Sequence, residues 1–270
     1  MGAGSGTAVK KAMISHSQAY VICATPRSGS TLLCDLLADT AVAGQPDSFF
    51  RVASLEWWAG YLEVSMDAWG DQLAFDESYL AAVLAEGAGA GATFGMRLMW
   101  RDFDHLAQNL ARLRPGLRRE RDRFDATFGP TRYIHLSRAD KAAQAISLIR
   151  AEQTGLWHVN EDGSERERQH PAQAAVYDAA AIARQLAEFE AHDLAWNQWF
   201  SRQNIDPLRI CYEDLAREPA AVMVDILAFL GLDPAPAQAV RPSTRKLADG
   251  DSRDWLQRFR AEFGDSDPHA

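Results

Sequence analysis

The chain has 270 residues, 47% of them apolar and 24% charged, with a formal net charge of −9. A chain of this length and apolar content can bury one sizeable core. Its acidic balance argues against a general binder of nucleic acid or of anionic membranes, so any anion site must be a local concentration of Arg and Lys. Cys23, Cys34 and Cys211 are scattered in apolar surroundings with no CxxC or Cys/His cluster. They read as buried reduced thiols, not as a zinc site or a disulfide frame. Lys10 and Lys11 are followed by no apolar run long enough for a signal peptide or membrane span. The expectation is a cytoplasmic protein with a loose tail at 1–17, one domain at 18–262 and a C-terminal tail at 263–270.

Residues 20–24 are apolar throughout, the pattern of a strand buried on both faces. Residues 25–31 are small and polar, broken by Pro26 and Gly29, and Leu32, Leu33, Leu36 and Leu37 then recur at helical spacing. Strand, tight turn and helix in that order aim backbone N–H groups at one point beyond the strand's end. Ser28, Ser30 and Thr31 add hydroxyls and Arg27 a fixed positive charge. The stretch is an anion cradle or, more plainly, a turn rich in N-cap residues. It is not a Walker A loop, which reads G-x-x-x-x-G-K-[ST]. The first Gly and the Lys are both missing, so a triphosphate held with magnesium is not its natural ligand.

Residues 42–44 suggest a short second strand, ended by Gln45, Pro46 and Asp47. The segment 49–69 is dense in aromatics (Phe49, Phe50, Trp57, Trp58, Tyr61, Trp69), which suits either core or an acceptor wall. A helix is predicted over 77–86, closed by the Gly-rich 87–91. A central strand follows at 93–99. Arg97 within it either snorkels to an edge or lines an anion cleft, because a charge is rarely buried without a partner. Next come a helix over 104–113 and a basic run, 114–123, that reads as a solvated face. A strand at 132–137 carries His135, a core histidine by pattern, and leads to Arg138. Asp140 caps a helix over 141–152, on which Gln144, Ser147 and Arg150 form a polar stripe. Residues 159–170 read as an exposed loop or mobile cover. Ile182, Leu186, Phe189, Trp196 and Phe200 share one face of a long helix predicted over 172–202. A last strand at 208–212 precedes a turn at 213–215 and a helix that starts at Pro219 and stops at Gly231.

Four strands, each followed by a helix, predict an α/β fold with a P-loop-like parallel sheet flanked by helices on both faces. Ligands of such sheets bind beyond the carboxyl ends of the strands. Arg27, Arg138 and Glu213 all fall there.

With these pieces placed, the chain resembles the sulfotransferases that use 3′-phosphoadenosine 5′-phosphosulfate (PAPS), and within them the bacterial trehalose 2-sulfotransferase type. Four patches carry the resemblance: Thr-Pro-Arg-Ser-Gly-Ser-Thr-Leu-Leu at 25–33; Ser-Arg-Ala-Asp at 137–140 with Gln-Ala-Ile-Ser at 144–147, continuing to Trp157; Tyr-Glu-Asp-Leu at 212–215 ahead of Phe-Leu-Gly at 229–231; and Arg245, Lys246, Asp254 and Trp255. The resemblance implies that Arg27, Ser28, Gly29, Ser30 and Thr31 hold the 5′-phosphosulfate. It implies further that Arg138 and Ser147 hold the 3′-phosphate, that Tyr212 lies near the adenine, and that Arg245 and Lys246 belong to a basic loop over the nucleotide. No metal is implied. The acceptor would be a small molecule or glycolipid, and the relatives suggest a homodimer.

The sequence departs from this type at one place. The trehalose-specific relatives carry a Glu, proposed as general base, in Gly-x-Pro-x-Glu-Phe-Phe. Here the segment 44–50 puts Ser48 at that position and Asp47 beside it. A hydroxyl is not a carboxylate, so Asp47 is either the substitute base or a cap for the segment that follows. Three functions therefore stand at this point: sulfuryl transfer from PAPS to a carbohydrate or glycolipid hydroxyl, binding of a 3′-phosphonucleotide without transfer, and a P-loop-like sugar or nucleotide kinase.

Overall fold

The computed structural model describes residues 18–65, 70–242, 244–245 and 250–264. Strand β1 (Gln18–Ala24) is buried along nearly its whole length. Its alternating side chains feed two different cores, as strand geometry requires. Val21 and Cys23 point into a cluster that includes Phe49, Phe94, Phe103, Trp196 and Trp199. Tyr20, Ile22 and Ala24 point into another, with Leu33, Leu36, Ile226 and Leu227. Helix α1 (Ser30–Asp39) follows directly, and β1 has to be apolar on both faces because helices cover both.

The chain continues through α2 (Leu55–Tyr61), α3 (Gln72–Ala88), β2 (Thr93–Met99), α4 (Trp100–Leu113), α5 (Glu120–Phe128), β3 (Thr131–Ser137) and α6 (Lys141–Thr154). A hairpin of β4 (Leu156–Asn160) and β5 (Glu165–Arg168) leads to α7 (Ala179–Gln203), β6 (Leu208–Cys211), α8 (Tyr212–Arg217) and α9 (Pro219–Leu230). The short β7 (Thr244–Arg245) and α10 (Gly250–Phe263) complete the described chain. The central sheet runs β2-β1-β3-β6, and all three pairings are parallel. This is the expected α/β sheet. A second, antiparallel sheet of order β5-β4-β7 forms a separate piece. Among the described residues no helix is long and apolar enough to cross a membrane.

Several expected boundaries move, each for a local reason. Residues 42–44 form no strand. Ala41 and Gly44 both have positive φ, at 57° and 76°, so the chain turns there and pairs with the sheet only through an isolated Asp47–Met96 bridge. The helix expected over 77–86 begins earlier, at Gln72, because the Asp71 carboxylate accepts from the N–H groups of Leu73 and Ala74. The helix expected from 172 starts instead at Ala179, where Asp178 accepts from Ala181 N–H. The basic run 114–123 is not a continuous solvated face; it contains the start of α5, whose Phe124 and Phe128 are buried. The turn at 213–215 is the helix α8. The cover at 159–170 is strand-paired, not an irregular loop. The expected tail at 1–17, Trp69 and Lys246 lie outside the described residues.

Candidate active site at the carboxyl ends of the sheet

The turn between β1 and α1 is held from within and from α6. Ser28 Oγ donates to Thr25 O at 2.8 Å. Gln144, fully buried, donates to Thr25 Oγ1 at 2.8 Å and to Pro26 O at 2.6 Å. The N-cap of α1 is Gly29, at φ 83°, and no side chain accepts from the helix's first N–H groups. The plain N-cap meaning of the Ser/Thr-rich turn fails at α1, because its N-cap residue has no side chain to accept with. A Cβ on Gly29 would lie 2.3 Å from the Tyr212 ring. Only glycine combines that left-handed φ with such a close approach.

Three arginines surround the turn. Arg27, itself at φ 62°, donates from Nε to Ser147 Oγ at 3.0 Å and from Nη1 to Trp157 O at 2.8 Å. Burial lowers its pKa to about 10 and neighbouring Arg138 adds to the effect, with Glu167 opposing; it remains a cation at neutral pH. Arg138 is 8% exposed. It lies with its guanidinium 4.9 Å from the Tyr212 ring centroid and donates to Arg27 O at 3.3 Å. Its Nε is buried and has no partner. Arg97 settles the question that its place in a central strand raises, because it lines the cleft. It donates from Nε to Ser48 Oγ at 2.7 Å and from Nη1 to Thr31 Oγ1 at 2.9 Å and Ser30 Oγ at 3.3 Å.

Asp47 faces the same arginine. Its Oδ1 lies 3.3 Å from Arg97 Nη2 and accepts from Ser48 N–H at 2.6 Å, while the side chain is half exposed. Ser48 is buried. Glu213, near the cleft in sequence terms, is structural: it accepts from the backbone N–H groups of Ala139 and Asp140 at 3.2 and 3.4 Å. It ties the chain after β6 to the chain after β3. His135 is buried as expected, and burial lowers its pKa to about 4.

The second sheet covers the cradle. His158, on β4, places Nε2 3.3 Å from Thr31 Oγ1 and 3.5 Å from Glu167 Oε2. Burial lowers its pKa to about 3, helped by Arg27, Arg97 and Arg166, so it is neutral in the working range. Arg166 of β5 pairs with Asp35 of α1, Nη2 to Oδ1 at 3.0 Å. The backbone of Arg245 pairs with Val159 of β4; the Arg245 side chain and all of Lys246 lie outside the described residues. Sequence reasoning missed His158, Arg166 and the coupling of Arg97 to Asp47. A histidine in a polar stretch carries no local signal, but Arg97 did, as a charge inside a strand. Among the described residues no group of three His, Cys, Asp or Glu side chains is placed to hold a metal ion.

With this geometry in hand, the comparisons with known proteins are specific. Residues 19–262 match the family model described as Stf0 sulphotransferase. The chain belongs to the Stf0 sulphotransferase family. It is therefore a sulfotransferase, and the family match spans both the cradle and its cover. This Stf0 member is 32% identical over 260 residues to the trehalose 2-sulfotransferase of Mycobacterium tuberculosis (strain ATCC 35801 / TMC 107 / Erdman), covering 90% of this chain and 94% of that one. It is 31% identical over 267 residues to the trehalose 2-sulfotransferase of Mycolicibacterium smegmatis (strain ATCC 700084 / mc(2)155), covering 93% and 97%. Among solved structures, the sulfotransferase domain of the Synechococcus PCC 7002 olefin synthase aligns over 90% of this chain and 94% of that one, at a TM-score of 0.42 and 18% identity.

Proposed function

We propose that this sulfotransferase moves a sulfuryl group from PAPS to a hydroxyl of a carbohydrate or glycolipid. The observation that carries the donor assignment is Arg138: a buried guanidinium with an unpartnered Nε, set against the Tyr212 ring. A buried charge with an unmet donor has the chemistry of an oxyanion site. An aromatic face beside it suits the purine of a 3′-phosphorylated adenosine. The closeness of Gly29 to Tyr212 supports the same reading, since it brings the cradle's N–H groups and that ring to one ligand. Ser28, Gly29, Ser30 and Thr31 would hold the 5′-phosphosulfate, Arg138 and Ser147 the 3′-phosphate, with Arg245 and Lys246 above the nucleotide. The two trehalose 2-sulfotransferase relatives support a sugar acceptor, and Ser48 in place of their type's Glu leaves trehalose itself to be tested.

PAPS, when bound, supplies the activated sulfuryl group. This chain's part is electrostatic and positional, as in phosphoryl transfer, where charge spreads over the equatorial oxygens. Arg27 provides a fixed cation at the cradle for that charge. Asp47 takes the proton of the acceptor hydroxyl on its carboxylate, and Arg97 holds that carboxylate in place.

Two measurements test this. Calorimetry without magnesium should show 3′-phosphoadenosine 5′-phosphate binding far more tightly than 5′-AMP, ADP or ATP; equal affinity for 5′-AMP and the bisphosphate would remove the 3′-phosphate site. Incubation with labelled PAPS and a panel of sugars, followed by mass analysis, should yield a sulfated product. Nucleotide binding with no product on any acceptor would leave a protein that binds without transfer.

A further inference from the structure

The basic run 114–123 makes none of the cleft contacts, and the fold carries it to the opposite end of the sheet. There the amino ends of β3 and β6 meet the start of α5 and the end of α7. A cavity of about 210 Å³ opens among them, lined by Arg121, Arg132, Tyr133, Ile205, Asp206 and Phe229 among others. Pockets for drug-sized ligands run from roughly 300 to 1,000 Å³, so this one takes something smaller than a nucleotide.

Its walls are firmly braced. Arg119 Nη2 donates to Gln203 O at 2.9 Å and Arg121 Nη1 to Asn204 O at 2.8 Å, which closes the carbonyl end of α7. Glu120 Oε2 accepts from Trp199 Nε1 and Gln203 Nε2, both at 2.8 Å. Arg132 donates from Nη1 to the carbonyl of Phe229, and its guanidinium lies 5.5 Å from that ring's centroid. Helix capping accounts for one nitrogen of Arg121 and one of Arg132. It does not account for two cations gathered round one cavity, nor for Tyr133. Tyr133 is 3% exposed, and among the described residues its hydroxyl has no partner. Burial holds that phenol well above its usual pKa, with Cys23 and Asp125 adding and Arg121 opposing. It is therefore an O–H donor lacking an acceptor, which native interiors rarely leave unmet.

Two guanidiniums and a phenol call for an oxyanion, and a planar carboxylate matches the guanidinium fork. Neighbouring carboxylates limit the ligand's charge. Asp206 lines the cavity, and Asp125 lies 3.8 Å from Arg121 Nε while accepting from Thr131 N–H at 3.0 Å. A second negative charge on the ligand would face both. Thr131 adds no donor, because its hydroxyl is bonded to Gly129 O at 2.7 Å. Phe229 and Ile205 supply apolar walls, which suit a short hydrocarbon body better than a hydrated inorganic ion. We propose that this cavity is a second ligand site, for a compact organic monocarboxylate: Arg121 and Arg132 hold the carboxylate beside the Tyr133 hydroxyl, and Phe229 and Ile205 take the apolar body. The site lies at the other end of the sheet from the cradle and does not depend on sulfuryl transfer.

The test titrates the full chain, at fixed ionic strength, with millimolar isovalerate, its neutral amide, succinate and inorganic phosphate, followed by amide NMR signals. Signals of residues 131–133 and 204–206 should shift saturably with isovalerate, which should bind about tenfold more tightly than each other probe. Arg132→Gln should weaken isovalerate about tenfold, while the signals of β1 and α1 stay in place and show that the variant is folded. Tyr133→Phe separates a ligand donor from a merely unmet hydroxyl. It should raise Tm without ligand, because a buried unpaired O–H is removed, and weaken isovalerate a few-fold. No saturable shift with millimolar isovalerate would overturn the inference. So would equal affinity for phosphate or the amide, or undiminished affinity in Arg132→Gln or Tyr133→Phe.

Discussion

The two walls of the cleft are held in different ways. The cradle wall is built from consecutive residues after β1, locked by Ser28, Gln144 and Gly29 against buried partners. The facing wall is the hairpin of β4 and β5, which meets the cradle through a few polar contacts: Thr31–His158, Asp35–Arg166 and Arg27 to the Trp157 carbonyl. The cradle's geometry is thus fixed by burial, whereas the cover is joined to it by one neutral histidine contact, one arginine–carbonyl bond and one partly exposed ion pair. A transferring group needs preorganised donors on one side, and its substrates need a way in on the other. The division suits both demands.

The sharpest way to break this comparison is at Arg27, which belongs to the turn after β1 and bonds to the Trp157 carbonyl in the cover. Arg27→Ala should lower turnover a hundredfold or more while weakening bisphosphate binding much less, measured by initial rates and calorimetry; near-normal turnover would reduce Arg27 to a turn residue. Asp47→Asn keeps the shape of the Arg97 contact but removes the basic oxygen. Turnover should fall roughly a hundredfold with PAPS binding intact, and an Asn variant with full activity would rule the base role out. Arg138→Ala tests the buried wall alone. It should cost about 1.5–3 kcal/mol in affinity for the bisphosphate and almost nothing for 5′-AMP, so that the two ligands converge.

Acid tests the seam. His158 ionises near pH 3 in the folded protein against about 6.5 in the unfolded chain. The unfolded or opened state therefore binds the extra proton between those values, and the closed cover has its full stability above about pH 6.5 and loses it as pH falls towards 3. Protection factors in β4, taken against the intrinsic exchange rate at each pH, should fall from pH 7 to pH 4.5, and His158→Gln should flatten that fall. Asp35→Asn is the gentlest change, since partly exposed ion pairs are worth about 0–1 kcal/mol. It should speed exchange in β5 a few-fold at low salt and have no effect at high salt.

The buried wall was also the legible one. Strands 93–99 and 132–137 could be read from short, mainly apolar runs interrupted by Arg97 and His135, and the turn after β1 from an apolar run ending in Pro-Arg-Ser-Gly-Ser-Thr. Local chemistry dictates those elements, and β2 runs over the residues expected of it. Asp140 likewise caps α6 as anticipated. The cover was opaque because Glu-Arg-Glu-Arg at 165–168 has no apolar alternation. Those residues are strand only because β4 offers them a partner. Arg97 stood between the two cases: the sequence marked it as anomalous, but only the fold could bring the Asp47–Ser48 turn to it.

The order β2-β1-β3-β6 also bears on how the molecule assembles. β1 has no hairpin neighbour: Gln18 pairs with Thr93 and Ala19 with Thr131, so both its partners lie far along the chain. Loop closure of that length must precede any gain from pairing, which makes parallel sheets slow to form and leaves their hydrophobic strands exposed meanwhile. The cradle is the direct continuation of β1, and Gln144 and Tyr212, which fix its shape, arrive later still. On the proposed PAPS reading no early intermediate holding only β1 and α1 would bind nucleotide, so recovery of bisphosphate binding during refolding would time the completion of the whole sheet.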